Sequence, residues 1–288
     1  MDIGFFGINM GVLSSREAIT RLALAVEASG YESLWTGEHL VLVDPQRPPS
    51  PMPPEEPFVD TISTLSYIAG ITNRVKLGSG VILLAQRNPV VLAKELAGID
   101  VLSNGRLLFG VGVGYVKKEF DVIGVPYSER GARVTEHIEV IRALWTEQQP
   151  VFKGKFTQIS DVQSHPHPVQ KPYPPIIIGG MSKAACRRAI SQCNGWYGFY
   201  LSLDRTAEML ANLRFAAGKY DRSESLGKLE ITVTPPPGLV DLDMVKRYED
   251  LGVSRLVLLH GAPAKKEGNA VDNIVRYVKE TAENLQLA

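Results

Sequence analysis

Cysteine is scarce in this 288-residue chain, and no excess of charge of either sign is present. The two cysteines, Cys186 and Cys193, lie seven residues apart on one predicted helix. They provide no disulfide framework, and they indicate a reducing compartment. Lysine plus arginine equals aspartate plus glutamate at 31 each. This balance gives no support to a surface that binds nucleic acid or another polyanion.

Long apolar runs and a basic leader are also lacking. No apolar stretch approaches the roughly 20 residues that a membrane-spanning helix needs. The first residue after Met1 is Asp2, whereas a signal peptide would place basic residues before its apolar segment. We therefore expect a soluble, cytoplasmic protein that acts on a small-molecule substrate and uses neither nucleic acid nor a membrane as partner.

The chain does contain a regular alternation of short apolar strands with amphipathic helices. Eight strands and eight helices are predicted, in a chain close to the roughly 250 residues usual for a (β/α)8 barrel. The pattern therefore predicts an α/β protein folded as one TIM-barrel domain over residues 1–288. The strands are expected at 2–8, 33–36, 75–79, from 107 onward, 176–178, 196–199, 229–234 and 255–259.

Capping residues and apolar spacing locate the helices. Ser14 and Glu17 are expected to form a capping box before the first helix. The second helix is expected to begin near Phe58, and the third to begin after Asn88 and Pro89. The remaining predicted helices include a fourth with an apolar face at Val134, Ile138, Ile141 and Trp145, and a sixth at 207–220.

Two segments interrupt the alternation. Residues 45–57 contain seven prolines in thirteen positions, a density that allows neither helix nor sheet. A disordered linker is one interpretation, but a helix and a strand follow at once, so a loop folded over one end of the domain is favoured. Residues 152–175 are proline-bearing and weakly periodic, which indicates an insertion before the fifth strand.

Glycines alternate along the end of the fourth predicted strand, at Gly110, Gly112 and Gly114. Missing side chains on one face of a strand tip either relieve crowding inside a barrel or allow a flat ligand to lie against the backbone. The spacing G-x-G-x-G differs from the G-x-G-x-x-G of the dinucleotide-binding fingerprint. The sequence leaves these two interpretations open.

Active sites of (β/α)8 barrels lie at the carboxyl ends of the strands. The predicted strand ends here are rich in glycine and poor in acids and bases, which favours a seat for a large planar cofactor. The turn Gly179-Gly180 leads into a helix that Ser182 is expected to cap. Its free N–H groups and the positive end of the helix dipole would suit a phosphate.

His39, which follows Glu38 at the end of the second strand, is the best candidate for an acid or base. The alternative is that it is a polar residue at the barrel mouth without a catalytic role. A metal site is not expected. His165 and His167 are spaced as His-x-His, but they lie between prolines without an acidic residue close by in the sequence.

Five segments together resemble the luciferase-like monooxygenase superfamily, and the branch that uses coenzyme F420, a deazaflavin, is the most similar. The resemblance runs from about Ile3 to Tyr200 and is carried by the order and spacing of the segments. They are WTGEHL, RVKLGSGVILL, RNPVVLAKELAGIDVLSNGRLLFGVGVG, KPYPPIIIGG and NGW.

The resemblance implies a barrel that holds a flavin or deazaflavin at its mouth. The ring would rest on a bulge at Gly80-Val81 after the third strand, for which a non-proline cis peptide bond is also expected at Ser79-Gly80 or Gly80-Val81. The resemblance further implies that the strand-four tip borders the ring and that a glycine turn holds the phosphate. The residues concerned are Val113, Gly114 and Tyr115 at the tip, and Gly179, Gly180, Met181 and Ser182 in the turn. Glu38 and His39 at the end of the second strand are also expected to border the cofactor.

We therefore predict hydride transfer between F420 and a small organic substrate, with His39 as proton-transfer group and Tyr115 as the next candidate. Sugar-phosphate dehydrogenases of the superfamily carry a glutamate where this chain has Tyr115. This difference argues against sugar-phosphate oxidation by this chain and leaves hydride transfer open. The alternatives are an FMN-dependent monooxygenase and a barrel that binds a cofactor without turning it over. Helices two and three are apolar on most sides, with small residues at Ala69, Gly70, Ala97 and Gly98, which predicts a homodimer through them.

Overall fold

A computed structural model describes residues 1–238, 240–261 and 269–287. It shows the predicted (β/α)8 barrel, with eight parallel strands in chain order. The first strand closes the barrel by pairing with the eighth, with Asp2 opposite Arg255. The strands are Asp2–Phe6, Ser33–Thr36, Lys76–Ser79 with its continuation Ile82–Leu83, Leu107–Gly112, Ile176–Gly179, Gly195–Phe199, Glu230–Thr234 and Arg255–Leu258.

Nine helices accompany the strands in the part of the chain that the structure describes. Eight of them follow the strands in the order that the sequence indicates, and one short helix after the fourth strand was not expected. They are α1 Arg16–Ala28, α2 Thr61–Ile71, α3 Pro89–Leu102, α4 Lys117–Val122, α5 Arg130–Thr146, α6 Lys183–Gln192, α7 Leu203–Ala217, α8 Leu242–Leu251 and α9 Ala270–Leu285.

The core has two layers because the side chains of a strand alternate between its faces. Outward-facing aliphatic side chains of the strands pack against the helices. Inward-facing side chains fill the barrel with aromatic and aliphatic groups in equal number, so that the interior is a packed core rather than a channel. This inner cluster consists of Phe6, Trp35, Leu108, Ile177, Tyr197 and Val257.

The predicted capping box of the first helix is wrong by one residue. Ser15 is the N-cap of α1, and its hydroxyl accepts the N–H of Ala18 at 3.2 Å. Ser14 instead donates its hydroxyl hydrogen to the carbonyl of Gly11 at 2.7 Å, because a short 3-10 turn precedes the helix. Two serines in sequence offer the same capping chemistry, and the preceding turn decides between them.

Other helix boundaries differ from the expected ones for similar reasons. Helix α2 begins at Thr61, where the Asp60 carboxylate accepts the N–H of Ser63 at 2.9 Å. Phe58 lies before it and forms an isolated bridge with Met10 instead. Helix α7 begins at Leu203 behind a Ser202 cap, four residues before the expected start. In each case a polar cap fixes the start earlier or later than apolar spacing indicated.

The proline-rich segment returns to the carboxyl end of the barrel. Asn9, which is completely buried after the first strand, donates from Nδ2 to the carbonyls of Gly37 at 2.9 Å and Val59 at 2.7 Å. The N–H of Gly11 donates to the carbonyl of Pro57 at 2.9 Å. These bonds tie the far end of the segment to the first and second strand ends, so the segment is a loop over the barrel mouth.

The insertion before the fifth strand forms a small antiparallel hairpin, Phe152–Lys153 with Gln158–Ile159. The Glu136 carboxylate on α5 accepts the backbone N–H groups of the hairpin turn. Farther along, the buried Asp100 carboxylate accepts hydrogen bonds from the backbone and side-chain amides of Gln170. Two carboxylates on helices therefore fix the insertion to the outside of the barrel.

The surface of α2 and α3 differs in part from the prediction. Ala69 and Ala97 are buried within the subunit, so they cannot provide close approach to a second copy. A Cβ added at Gly70 or Gly98 would meet nothing within 4 Å, so both glycines face open space. The small residues therefore divide between the core side and the outer side of these helices.

Candidate active site

A bulge interrupts the third strand where the sequence indicated one. Gly78 is opposite Leu108 of the fourth strand, and Ile82 is opposite Val111. Four steps along the third strand thus face three steps along the fourth, which is one extra residue. The Gly80-Val81 peptide bond is cis. The predicted bulge and the predicted cis bond at this site are both confirmed.

Close packing explains the glycines at and just after the end of the fourth strand. A Cβ at Gly110 would lie 1.8 Å from the carbonyl oxygen of Ser79, and one at Gly112 would lie 2.5 Å from Cγ2 of Val81. Gly114 has φ of +77°, and a Cβ there would lie 2.8 Å from the ring of Phe120. Relief of crowding, one of the two open interpretations, therefore accounts for all three glycines.

Val81, the residue after the cis bond, is half-buried. Its side chain lies between the fourth and fifth strand ends, where a Cβ at Gly179 would approach its Cγ1 to 3.1 Å. Val81 also packs on the inner cluster of the barrel. A branched apolar side chain is thereby held between two strand ends.

His39 lies at the mouth and contacts a carboxylate that the sequence did not reveal. Its Nδ1 is 3.1 Å from Oε1 of Glu119, which is on α4 and completely buried. The same oxygen accepts the backbone N–H of Leu40 at 3.2 Å. The structure thus brings a half-buried imidazole together with a buried carboxylate, which is an arrangement suited to moving a proton.

Glu38 lies away from this pair. It is buried, and its Oε1 accepts a hydrogen bond of 2.9 Å from Nε of Arg87, which also donates to Asp60 at 2.9 Å. Burial raises the pKa of Glu38, and the charge and hydrogen bond of Arg87 offset this only in part. Glu38 therefore holds the start of α3 against the second strand end.

Aromatic rings continue from His39 around the mouth. The His39 ring meets the ring of Phe58 edge-on at 5.6 Å and that of Tyr115 at 6.1 Å between centroids. Tyr115 is half exposed, and burial together with the charge of Glu119 raises the pKa of its hydroxyl. On the other side Phe199 packs against Phe6 at 4.9 Å. The walls of the mouth are therefore largely apolar.

The turn before α6 has the form expected of a phosphate site. Gly180 has φ of +115°, and its carbonyl accepts the indole N–H of Trp196 at 2.8 Å. Ser182 caps α6 by accepting the N–H of Ala185 at 3.1 Å, while Met181 is half exposed beside it. The first turn of a helix leaves N–H groups without helical partners. These groups and the helix dipole suit an anion.

The sequence missed Glu119 and the ring of Phe199. Glu119 lies in Lys117-Lys118-Glu119, a charged run that indicates an exposed helix.

Among the residues that the structure describes, no cluster of histidine, cysteine and acidic side chains could hold a metal ion. Within the same residues no helix is long and apolar enough to cross a membrane.

The bulge and the contact between His39 and Glu119 lie at the carboxyl end of the barrel, where barrel enzymes place their active sites. The chain belongs to the luciferase-like monooxygenase family, whose family model matches residues 7–240.

Three relatives illustrate the range of the family. An uncharacterised protein of Mycobacterium tuberculosis is 31% identical over 248 residues, which is 82% of this chain and 83% of that protein. An F420-dependent glucose-6-phosphate dehydrogenase of Amycolatopsis mediterranei is 32% identical over 56% of this chain and 47% of its own length. An FMNH(2)-dependent dimethylsulfone monooxygenase of Pseudomonas putida is 36% identical over 46% of this chain and 38% of its own length.

Solved structures support the same fold. An F420-dependent secondary alcohol dehydrogenase matches with a TM-score of 0.78 at 14% identity, covering 99% of this chain and 98% of that one. A monooxygenase from Streptomyces bottropensis matches with a TM-score of 0.76 at 21% identity, covering 99% of both chains. Family members thus include enzymes that use F420 and enzymes that use FMN.

Proposed function

We propose that this protein is an oxidoreductase that exchanges a hydride between the deazaflavin coenzyme F420 and a small organic substrate. The observation that carries the proposal is the contact between His39 and Glu119 at the carboxyl end of the barrel. Hydride transfer to or from carbon leaves an alkoxide, enolate or amine that needs a proton, and an imidazole serves this purpose near neutral pH.

The residues at the mouth fit a bound deazaflavin. Val81 would support the ring, Val113, Gly114 and Tyr115 would border it, and the turn from Gly179 to Ser182 would hold the phosphate. When bound, the cofactor supplies the redox chemistry. The protein orients the reactants, excludes water with the loop over the mouth, and holds or accepts a proton at His39.

The names of two similar proteins favour F420. One relative and one matching structure are F420-dependent dehydrogenases. The second candidate function is an FMN-dependent monooxygenase, which the Pseudomonas putida relative favours. The third, a barrel that binds its ligand without turnover, is less favoured because it gives no role to a buried carboxylate held against an imidazole.

The test is a side-by-side titration of the purified chain with F420 and FMN. We expect F420 to bind at least about tenfold more tightly, which corresponds to about 1.4 kcal/mol. A panel of small alcohols and ketones should then change the absorbance of bound F420. Tighter binding of FMN, with oxygen consumption by the reduced protein, would instead establish the monooxygenase. Binding without any absorbance change across the panel would favour the non-catalytic barrel.

We also propose a homodimer through α2 and α3. Val91 and Leu102 are exposed on α3, and Gly98 faces open space on the same helix face at helical spacing. An apolar helix face of this kind is usually covered. Light scattering at micromolar concentration should give twice the chain mass, and Leu102→Glu should halve it. Phe215→Glu, which changes an equally exposed apolar residue on α7, should leave the mass unchanged.

A further inference from the structure

Glu119 is out of place for a residue of a short surface helix. Two other charged residues of α4 lie at the surface, since Lys117 and Asp121 form an exposed ion pair. Glu119 itself has no solvent exposure. A buried carboxylate is costly unless its charge and its oxygen atoms have partners. The partners of this side chain therefore show why it is there.

Three groups surround the carboxylate. Oε1 is 3.1 Å from Nδ1 of His39 and accepts the N–H of Leu40 at 3.2 Å, and Oε2 is 3.5 Å from Nε2 of Gln86. Within the described parts of the chain, no lysine or arginine forms an ion pair with it. The imidazole of His39 is thus the group that can offset its charge.

We infer that Glu119 is the positioning residue of His39, and that it holds the imidazole by Nδ1 so that Nε2 exchanges the proton at the mouth. The inference rests on the proposed function for its catalytic meaning, because His39 is the proton-transfer group there. The contact between Glu119 and Nδ1 of His39 can be tested in the cofactor-free chain.

The chemistry of the two groups dictates the arrangement. An ionised carboxylate can only accept hydrogen bonds, so Nδ1 of the neutral imidazole must carry the hydrogen. The other ring nitrogen, Nε2, is then the atom that takes up or releases a proton. Glu119 thereby fixes the orientation and the tautomer of one ring.

Other elements around His39 do not duplicate this role. Phe58 from the proline-rich loop and Tyr115 from the fourth strand tip contact the ring edge-on. The adjacent Glu38 is engaged by Arg87. Glu119 on α4 is thus the carboxylate in contact with the imidazole.

The experiment is nitrogen-detected NMR of the histidine side chains in the cofactor-free protein as a function of pH, with His39 assigned by comparison with His39→Gln. The parent protein should show the Nδ1–H tautomer of His39 at high pH. Glu119→Gln keeps an oxygen that can accept from Leu40 and from Nδ1, but it removes the charge. Asp121→Asn removes one charge from the exposed face of the same helix and is the matched control.

We expect Glu119→Gln to retain the Nδ1–H tautomer, because its amide oxygen can still accept from Nδ1, and we expect Glu119→Leu, which offers no acceptor, to lose it. Asp121→Asn should leave the tautomer unchanged, because its side chain is exposed and pairs with Lys117. The Nε2–H tautomer in the parent would overturn the inference without any variant. A retained Nδ1–H tautomer in a folded Glu119→Leu protein would also overturn it. Neither readout depends on F420 binding, so a failure of the proposed function is seen separately, in the cofactor titration.

Discussion

The two ends of the barrel both bury charged side chains, but they satisfy them differently. At the amino ends of the strands, Arg255 is almost completely buried and donates to both oxygens of Glu32, at 2.9 and 3.0 Å. Asp2 and Glu230 lie within 3.6 Å of the same guanidinium. At the carboxyl ends, the buried Glu38 also pairs with an arginine, Arg87, but Glu119 faces a histidine instead.

The proposed proton transfer at His39 needs a partner of the second kind, and the network at the amino ends has none. Burial alone would raise the pKa of Glu32, but hydrogen bonds and charge from Arg255 outweigh it and lower that pKa. Glu32 and Arg255 are therefore permanently charged near neutral pH, and such a network stabilises the fold without exchanging protons. An imidazole, in contrast to a guanidinium, is a side chain that can take up and release a proton near neutral pH.

The largest expected effect is at the mouth. Removal of a general acid typically costs a factor of about a hundred to ten thousand in rate, so His39→Ala should lower turnover by an amount in that range. Cofactor affinity should remain nearly intact, because the ring support and the phosphate turn are elsewhere. Steady-state kinetics and a cofactor titration measure the two quantities.

His165→Ala, which replaces an exposed histidine of a loop, is the control and should keep parental turnover. If His39→Ala retained turnover within about threefold of the parent, far below that range, His39 would be a pocket-lining residue. Tyr115 would then become the proton-transfer candidate.

At the opposite end the large effect should be on stability. Arg255→Met leaves Glu32 buried beside one remaining cation, Lys76 at 2.9 Å, and breaking a buried pair costs about 3–5 kcal/mol. Denaturant unfolding should show this loss, while turnover per folded molecule stays parental. Arg21→Met breaks an exposed pair with Asp272 and should have a much smaller effect. If folded Arg255→Met lost turnover, the amino end would not serve stability alone, and the proposed difference in role between the two ends would be wrong.

Two glycines with positive φ, one at each end of the barrel, allow an effect on ligand binding to be distinguished from an effect of backbone strain. Gly180 before α6 and Gly227 before the seventh strand both have positive φ, of +115° and +63°. Leucine at either position should destabilise the fold, since a bulky residue rarely adopts this conformation. Only Gly180→Leu should weaken F420 binding, by about tenfold or more. Equal affinity in both variants would reject the phosphate assignment for the turn.

The sequence predicts the fold well because the barrel depends on local patterns. Apolar strand runs, helix caps and the glycine turn at Gly179 are each encoded within a few residues, and the eight-fold alternation follows from them. The bulge at Gly80 was also accessible, through the family resemblance. The wrong cap at Ser14 shows the limit of local signals, since a neighbouring serine offers the same chemistry.

The contact between His39 and Glu119 could not be predicted, because the two residues are 80 positions apart in the sequence. The charged run around Glu119 indicates an exposed helix, and burial of its carboxylate depends on how α4 packs beside the second strand end. The strand-four glycines carried a similar ambiguity. The space that Gly110 and Gly112 provide is filled by Ser79 and Val81 of another strand.

The smallest expected effect is a pH dependence of opposite sign at the two ends. The pKa of Glu32 is lowered from its usual 4.5, so its stabilising contribution is present above that value and is lost as pH falls through the folded pKa. The pKa of Glu38 at the mouth end is raised from the same value by burial, so its contribution is present below 4.5 and is lost as pH rises through the folded pKa. Glu38→Gln keeps an acceptor for Arg87, which also retains Asp60. Between about pH 3 and about pH 7, Glu32→Gln should therefore lose stability relative to the parent as pH rises, and Glu38→Gln should gain it. Unfolding free energies at several pH values test this, and two curves of the same sign would show that the carboxylates at the two ends are buried in equivalent surroundings.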